Sequence, residues 1–459
     1  MDEELFYSNF SYSPDVYYFL YVGELKNHDL NYYLQDVLAR RLDRPVSFLS
    51  LVPDILNLYN YPNIVAHSPL LSTQRDTYGD HVSFRTDIKK FMEMVSNHPL
   101  ILDIIEKILA HQDELFVSMF ESMPEMTLDR LPGVVVLGPE KALARELNNK
   151  AIQFKLLQDE IPVVDFRLCS SLAELLDVSE QLRAVWQDGI FVSRLYSAAG
   201  AASAITFSKT EIMDKFGDLD SSFLLSRYIP HTYDPTVLAV VAGEDEVYIA
   251  GVADQCIEGG NRFVGSTWPT VLSEELVDDL HRYTRRVGQV LASRGYHGIF
   301  GCDYIVDREN QIKFIEINAR KQGTTLEFCY ALEQILPTGS PSLLELEYCA
   351  VQEGRFPENT VEPPSMPGSA FCWGTYNYKI SAKVLTTEQL PQHRHEREIF
   401  GKVARKELAG EAVLLEHVGA DQTVLPGTFL ARTVSVGQDM QTVYTGLHQA
   451  REKITHTIS

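Results

Sequence analysis

"DYIVDRENQIKFIEINAR", residues 303–320, reads as two short apolar runs around a polar turn, and Asp303, Glu316, Asn318 and Arg320 interrupt those runs. A strand period of two places Ile312, Phe314, Glu316, Asn318 and Arg320 on one face of the second run, with Lys313, Ile315, Ile317 and Ala319 on the other. With Arg308 to Gln311 as the loop and Asp307 paired with Ile312, Asp303 falls opposite Glu316. Like charges facing each other across a strand pair are destabilising unless one is protonated or a cation lies between them. Two carboxylates and an amide carbonyl are hard oxygen ligands of the kind Mg²⁺ takes beside substrate phosphates. The competing reading is a structural ion-pair cluster in which Arg320 and nearby lysines neutralise the acids.

The stretch before the hairpin, "SEELVDDLHRYTRRVGQVLASRG" (273–295), has the pattern of an amphipathic helix. Ser273 can cap it, Glu274 and Glu275 suit its first turn, and Leu276, Leu280, Tyr283, Val287 and Leu291 form an apolar stripe. Gly295 ends it, so Asp303 is expected on a strand mounted directly after a packed helix.

At 459 residues and 45% hydrophobic content the chain can bury a large core and is expected to divide into roughly two to four domains. A net charge of −23 with no offsetting basic stripe argues against nucleic-acid binding and requires any site for an anionic ligand to be locally basic. The first residues, "MDEELFYSNF", lack a basic segment followed by an apolar one, and no run approaches the roughly 18 apolar residues of a membrane span, so a cytoplasmic location with no membrane partner is expected. The six cysteines are scattered without a CxxC pair, which indicates buried thiols rather than a zinc site or disulfide framework.

In the first part of the chain, strand-like runs ("VYYFLYVGE", "VSFLSLV", "VVVLGP") alternate with helix-like stretches ("NYYLQDVLARRL", "LILDIIEKILAHQDELFVSMFESM"), the signature of an open α/β layer. No GxGxxG follows a strand there, so a dinucleotide site is not indicated. From about Lys150 an α+β region runs to about Gly354, "FPENTVEPPSMPGS" (356–369) reads as a linker, and a smaller unit follows, without internal repeats.

The order of Lys150, the small-residue loop in "VSRLYSAAGAAS", the apolar strand in "SSFLLSRYIP" and the Asp303/Glu316/Asn318/Arg320 hairpin resembles the ATP-grasp superfamily over roughly residues 134–350. "DPTVLAVV", "DQCIEGGNRFVGSTWP" and "EINARKQGTT" further resemble its pheganomycin-type peptide ligase branch. The resemblance implies a combined α/β and α+β architecture. Its expected parts are an N-terminal open α/β domain (1–145), a nucleotide-lid lobe (146–235), a lobe with the metal-binding hairpin (236–355), the linker (356–369) and a small C-terminal domain (370–459). It also implies ATP and a pair of Mg²⁺ ions as cofactors, and a ligase that joins a small-molecule carboxylate to an amine through an acylphosphate, releasing ADP and phosphate. A homodimer is compatible with it.

Carried over by position, Asp303, Glu316 and Asn318 would hold Mg²⁺, and Arg320 would stabilise charge on the transferred phosphoryl group. Lys150, Arg194, Ser197, Gly200, Ser203 and the stretch Ser226, Arg227, Tyr228 and Ile229 would bind ATP, the last four through backbone contacts to adenine. Arg194 stands where many members have a lysine, and Gly200 is the single glycine where they have several. Arginine can still clamp phosphate with two bonds, and Ala198 and Ala199 still permit close backbone approach. An ordinary surface turn is the plain alternative for this loop, and a lysine at a helix start, such as Lys150, is ordinarily solvated.

Asn261 and Arg262, on an expected loop, and Lys321, Thr324 and Thr325, after the hairpin, are candidate substrate contacts; the threonines could instead cap the next helix. His393 and His395 in "QHRHERE" read as part of a solvated charged segment rather than a metal site. Two other functions stay open beside the ligase: a carboxylase-like enzyme activating bicarbonate, against which no biotin-carrier segment is evident, and a non-catalytic ATP-binding module.

Overall fold

The computed structural model describes residues 6–24, 27–53, 62–67, 88–196, 203–219, 221–259, 262–366, 368, 371–387, 396–416, 423–424, 426 and 429–458. The chain forms two compact units, one of residues 1–142, 325–361 and 368–459, the other of residues 143–324 and 362–367.

The first unit begins with a six-stranded sheet of β1 (Phe6–Ser8), β2 (Tyr17–Val22), β3 (Val46–Val52), β4 (Ile64–His67), β5 (Leu115–Met119) and β6 (Val134–Leu137), in the order β1-β4-β3-β2-β5-β6. All neighbours run parallel except β1, which is antiparallel to β4. Tyr18, Leu20 and Val22 enter one core and Tyr17, Phe19 and Tyr21 another, so β2 is buried on both faces and reads as an unbroken apolar run.

One expectation is corrected here. The helix-like stretch 100–123 is a helix only over Pro99–Leu109, and Leu115–Met119 is β5, a buried parallel strand between β2 and β6. Gln112 marks the change. Its side-chain amide accepts from the Tyr18 backbone N–H at 3.0 Å and donates to the Tyr18 carbonyl at 2.8 Å, closing the end of the sheet before the strand begins.

In the second unit, β7 (Phe166–Cys169), β8 (Ile190–Arg194), β9 (Ser203–Thr206) and β10 (Phe223–Arg227) form an antiparallel sheet in the order β7-β10-β8-β9. The helices Leu172–Arg183 and Lys209–Phe216 pack Leu175, Ile212 and Phe216 against Ile190, Val192, Phe223 and Leu225. Each begins at a serine N-cap, with Ser171 Oγ accepting from Glu174 N and Ser208 Oγ from Glu211 N.

A larger antiparallel sheet follows, built from β11 (His231–Tyr233), β12 (Pro235–Gly243), β13 (Glu246–Glu258), β14 (Arg262–Trp268), β15 (Gly298–Asp307) and β16 (Ile312–Asn318). β15 is central: β12 and β11 pair along one side of it and β16 along the other. The helix Glu274–Ala292 buries Val277, Leu280, Val287 and Leu291 with Val237, Val247, Ile249 and Phe300. Gly288 lets it approach closely, since a Cβ there would stand 2.7 Å from a Val247 methyl. Ser273 occupies the N-cap position with extended backbone, but its side chain makes no capping bond.

The first unit is completed by the helices Thr325–Ile335 and Leu343–Glu353 and by the antiparallel strands β17 (Cys372–Lys379) and β19 (Gly410–Glu416), which flank β21 (Phe429–Gly437), with the helix Met440–His456 beside them. β18 (Val384–Leu385) and β20 (Thr423–Val424) make a small separate pair. No helix among the described residues is long and apolar enough to cross a membrane. None of the six cysteines is in a disulfide; all are buried except Cys256, which is partly exposed.

Candidate active site on the hairpin of β15 and β16

Asp303 lies directly opposite Glu316, as the sequence suggests, but by a different route. Val306, not Asp307, pairs with Ile312, and the register then shifts between Tyr304, opposite Phe314, and Asp303, opposite Glu316. Ile315 is the surplus residue of a β-bulge. The bulge overturns the expectation that Ile312 and Phe314 share a face with Glu316, Asn318 and Arg320. Phe314 and Ile317 both enter the core, opposite Tyr304 and Cys302, while Glu316 and Asn318 lie on the other face with Asp303 and Gly301. The core face is covered by the helix Glu274–Ala292, whose Thr284 hydroxyl is 2.9 Å from the Tyr304 hydroxyl.

Asp303 sits between β12 and β16, with Thr236 as its neighbour across β12. Thr236 Oγ1 donates to Asp303 Oδ1 at 2.7 Å, and Asn318 Nδ2 donates to Oδ2 at 3.0 Å. Arg320 Nη2 donates to Asn318 Oδ1 at 3.0 Å, and its Nη1 to the Lys321 carbonyl at 2.9 Å, so Arg320, Asn318 and Asp303 form one chain of hydrogen bonds. Burial, and then the charge of Glu316, push the Asp303 carboxyl up to about 6 against the opposing pull of Thr236, Asn318 and Arg320.

Lys150 is only 7% exposed, unlike the solvated lysine its position suggests. The helix Lys150–Leu157 carries it, Asn149 caps that helix by accepting from Ala151 N, and the Lys150 N–H donates to the Leu195 carbonyl at 3.0 Å. Its ammonium stands 2.6 Å from Glu316 Oε1. The same helix holds β16 in place. The fully buried Gln153 amide donates to the Ile317 carbonyl at 2.7 Å and accepts from the Ile317 N–H at 2.9 Å, while Asn148 Oδ1 accepts from Ala319 N at 3.1 Å. Neither residue carries a recognisable motif; their role comes from a strand some 160 residues further along the chain.

The other expected positions fall as follows. Arg194 is exposed at the end of β8, and Ser203 is buried at the start of β9 opposite Ser193. Ser197, Gly200, Asn261, His393 and His395 lie outside the described residues. Ser226 is buried and Arg227 exposed at the end of β10; the N–H groups of Arg227 and Tyr228 donate to the Asp165 and Gly189 carbonyls. The Ile229 carbonyl faces His231 Nδ1 at 2.7 Å, and His231 Nε2 is 2.9 Å from Asp234 Oδ1. Burial opposes the imidazolium, but the Asp234 hydrogen bond and charge raise its pKa overall. Arg262 opens β14 rather than lying in a loop, and pairs with Glu258 across the turn from β13. Lys321 and Thr324 are buried, and Thr324 Oγ1 has no hydrogen-bond partner, so it does not cap the following helix. Thr325, fully buried, is the first residue of that helix.

Among the described residues no cluster of three or more His, Cys, Asp and Glu side chains could hold a metal. The donor set on the hairpin is two carboxylates and an amide oxygen, and Lys150 stands in as the cation on Glu316. That set fits Mg²⁺, which takes one or two carboxylates and completes its shell with water and substrate phosphates.

No family model matches the chain. It is 26% identical over 214 residues to a [butirosin acyl-carrier protein]–L-glutamate ligase of Niallia circulans, covering 45% of this chain and 50% of that protein. It is 31% identical over 100 residues to an L-propargylglycine–L-glutamate ligase of Streptantibioticus cattleyicolor, covering 22% of this chain and 20% of that protein. The match thus spans half the length of the first relative and a fifth of the second. Among solved structures, the chain is similar to a carboxyaminoimidazole ribonucleotide synthase of Aspergillus clavatus complexed with ATP, at a TM-score of 0.58 and 16% identity, over 95% of this chain and 98% of the other. It is also similar to the ATP-analogue complex of a biotin carboxylase of Campylobacter jejuni, at 0.60 and 13%, over 97% and 92%. At such identities the likeness shows a shared fold, over nearly the whole chain.

Proposed function

We propose that this chain, which has the ATP-grasp fold, is an ATP-dependent carboxylate–amine ligase forming an amide bond through an acylphosphate and releasing ADP and phosphate. The observation that supports it most directly is the pairing of Asp303 with Glu316, with Lys150 on one carboxylate and Arg320 linked to the other through Asn318. Phosphoryl transfer asks mainly for positioning and charge neutralisation, and this set supplies both.

In this reading Asp303, Glu316 and Asn318 would hold Mg²⁺, which when bound would offset the charge of the phosphates. Lys150 and Arg194 clamp phosphates, Ser197, Gly200 and Ser203 contribute to nucleotide binding, and the backbone of Ser226 to Ile229 contacts the adenine. A carboxylate oxygen of the acid attacks the γ-phosphorus as the bond to ADP breaks, and Arg320 offsets charge on the transferred group. The amine then attacks the acyl carbon and phosphate leaves. In this reading Lys321 and Thr324 contact the acid; their burial, and a Thr324 hydroxyl with no hydrogen-bond partner, support it. The names of both relatives carry L-glutamate, which places it first among substrates to try, as acid and as amine.

The test is nucleotide analysis with hydroxylamine in place of the amine. ADP together with a hydroxamate of the acid is expected; AMP and pyrophosphate would overturn the mechanism. The likeness to biotin carboxylase supports a second reading, activation of bicarbonate. ATP turnover stimulated by bicarbonate, and by no organic acid, would select it.

A further inference from the structure

On the site face, Gly301 of β15 lies two residues before Asp303 and pairs with Asn318. Its backbone is ordinary strand, outside the left-handed region in which glycines of this chain adopt positive φ, so what glycine contributes here is space. The Gln322 side chain fills that space. A Cβ on residue 301 would stand 1.9 Å from Gln322 Cδ, 2.0 Å from Nε2 and 2.4 Å from Oε1, all well inside van der Waals contact.

Gln322 is 6% exposed, and a buried amide is costly unless its polar atoms are bonded. Its Nε2 donates to Thr236 Oγ1 at 3.0 Å and lies 3.4 Å from Asp303 Oδ1. Thr236 Oγ1 in turn donates to Asp303 Oδ1 at 2.7 Å. Each Asp303 oxygen is therefore held by a neutral donor, Oδ1 from the Gln322 side and Oδ2 from Asn318. The terminal torsion of an aspartate is soft, and such bonds decide where its lone pairs point.

We propose that Gln322, seated in the space that Gly301 leaves, is a positioning residue that fixes the Asp303 carboxylate through Thr236 and thereby sets the affinity of the hairpin for a divalent cation. The proposal rests on the metal-binding reading of the hairpin.

Mn²⁺ affinity in the presence of ADP, followed by calorimetry or by the spin-resonance signal of the free ion, tests it beside ADP affinity in EDTA. Gln322→Met keeps the bulk and removes the donor; it is expected to weaken Mn²⁺ binding by about 10–100-fold, the usual effect of losing such a support, while ADP affinity in EDTA is unchanged. Gly301→Ala should evict the glutamine with a similar loss. The double variant Gly301→Ala/Gln322→Ala should recover the melting temperature of the wild type more nearly than Gly301→Ala alone, with metal affinity no lower than in Gly301→Ala or Gln322→Met. Wild-type Mn²⁺ affinity in Gln322→Met, or losses from the two sites that add, would overturn the proposal and leave the metal site standing. No Mn²⁺ binding by the unaltered protein would overturn both.

Discussion

The Lys150 ammonium lies 2.6 Å from the Glu316 carboxylate, so the cation proposed for phosphate and the anion proposed for metal neutralise each other. The Lys150 side chain is 9% exposed and that of Glu316 23%, so water replaces the partner of Lys150 poorly and that of Glu316 only in part. On the proposed assignment, phosphate binding at Lys150 would strip Glu316 of its partner, and a metal would replace that partner. Nucleotide and metal should therefore bind with positive coupling. Lys150→Met separates the two effects: binding of Mn²⁺ without nucleotide should strengthen, and binding of ATP should be lost. Titrations with each ligand alone check this, and weaker Mn²⁺ binding in the variant would count against the pairing. The same change removes one partner of a largely buried pair and should lower stability by about 2–3 kcal/mol.

Asp303→Asn and Glu316→Gln should each abolish Mg²⁺-dependent turnover while the fold persists, as circular dichroism and activity measured together would show. Near-normal turnover in both would remove the metal assignment.

Asp303 also gives a pH dependence of definite sign. Its folded pKa of about 6 lies above the ordinary aspartate value of 3.8, so the folded protein holds the proton more tightly than the unfolded chain. Stability from this group is present at pH 3.8 and below and is lost as pH rises through about 6. Asp303→Asn should therefore stabilise the metal-free protein more at pH 8 than at pH 4, by up to about 3 kcal/mol. Urea unfolding in EDTA at the two pH values checks it, and an equal effect at both would show that Asp303 is not strained.

Arg320→Ala should depress hydroxamate formation by roughly 10² or more per folded molecule, the usual size for one electrostatic stabiliser. An arginine that only braced Asn318 would instead lower the melting temperature and keep its turnover.

Gln153→Leu should cost about 2–4 kcal/mol, because it leaves the Ile317 N–H and C=O and the Leu147 carbonyl without their partner in the interior. Stability within about 0.5 kcal/mol of the parent would mean that β16 is held by its ladder alone.

Much of this site was legible locally. The opposition of Asp303 and Glu316 follows from the polar interruptions in 303–320, although two departures from the simple hairpin offset each other: a loop longer by one residue at its start, and a surplus residue at 315. A period of two cannot reveal a bulge, so the faces of Ile312 and Phe314 relative to Glu316 were misjudged. The strand Leu115–Met119 was absorbed into the preceding helix because a short apolar run suits either element, and only its place between β2 and β6 decides. Lys150, Gln153, Thr236 and Gln322 acquire their roles from contacts between distant segments. Of Gln153, Thr236 and Gln322, only Gln322 carries a local sign: it continues the alternation of polar groups from Asn318 and Arg320.

The surplus residue in β16 also decides where the hairpin can change length. Excising Ile315 would regularise the ladder and leave Phe314 opposite Tyr304 and Glu316 opposite Asp303, since the residues on either side already alternate as in an unbroken strand. Excising Ile317 would instead bring Asn318 opposite Cys302 and turn an amide into the core. The hairpin can therefore shorten on one side of Glu316 and not on the other. What the shorter strand would give up is the local twist that aims Glu316 at Lys150.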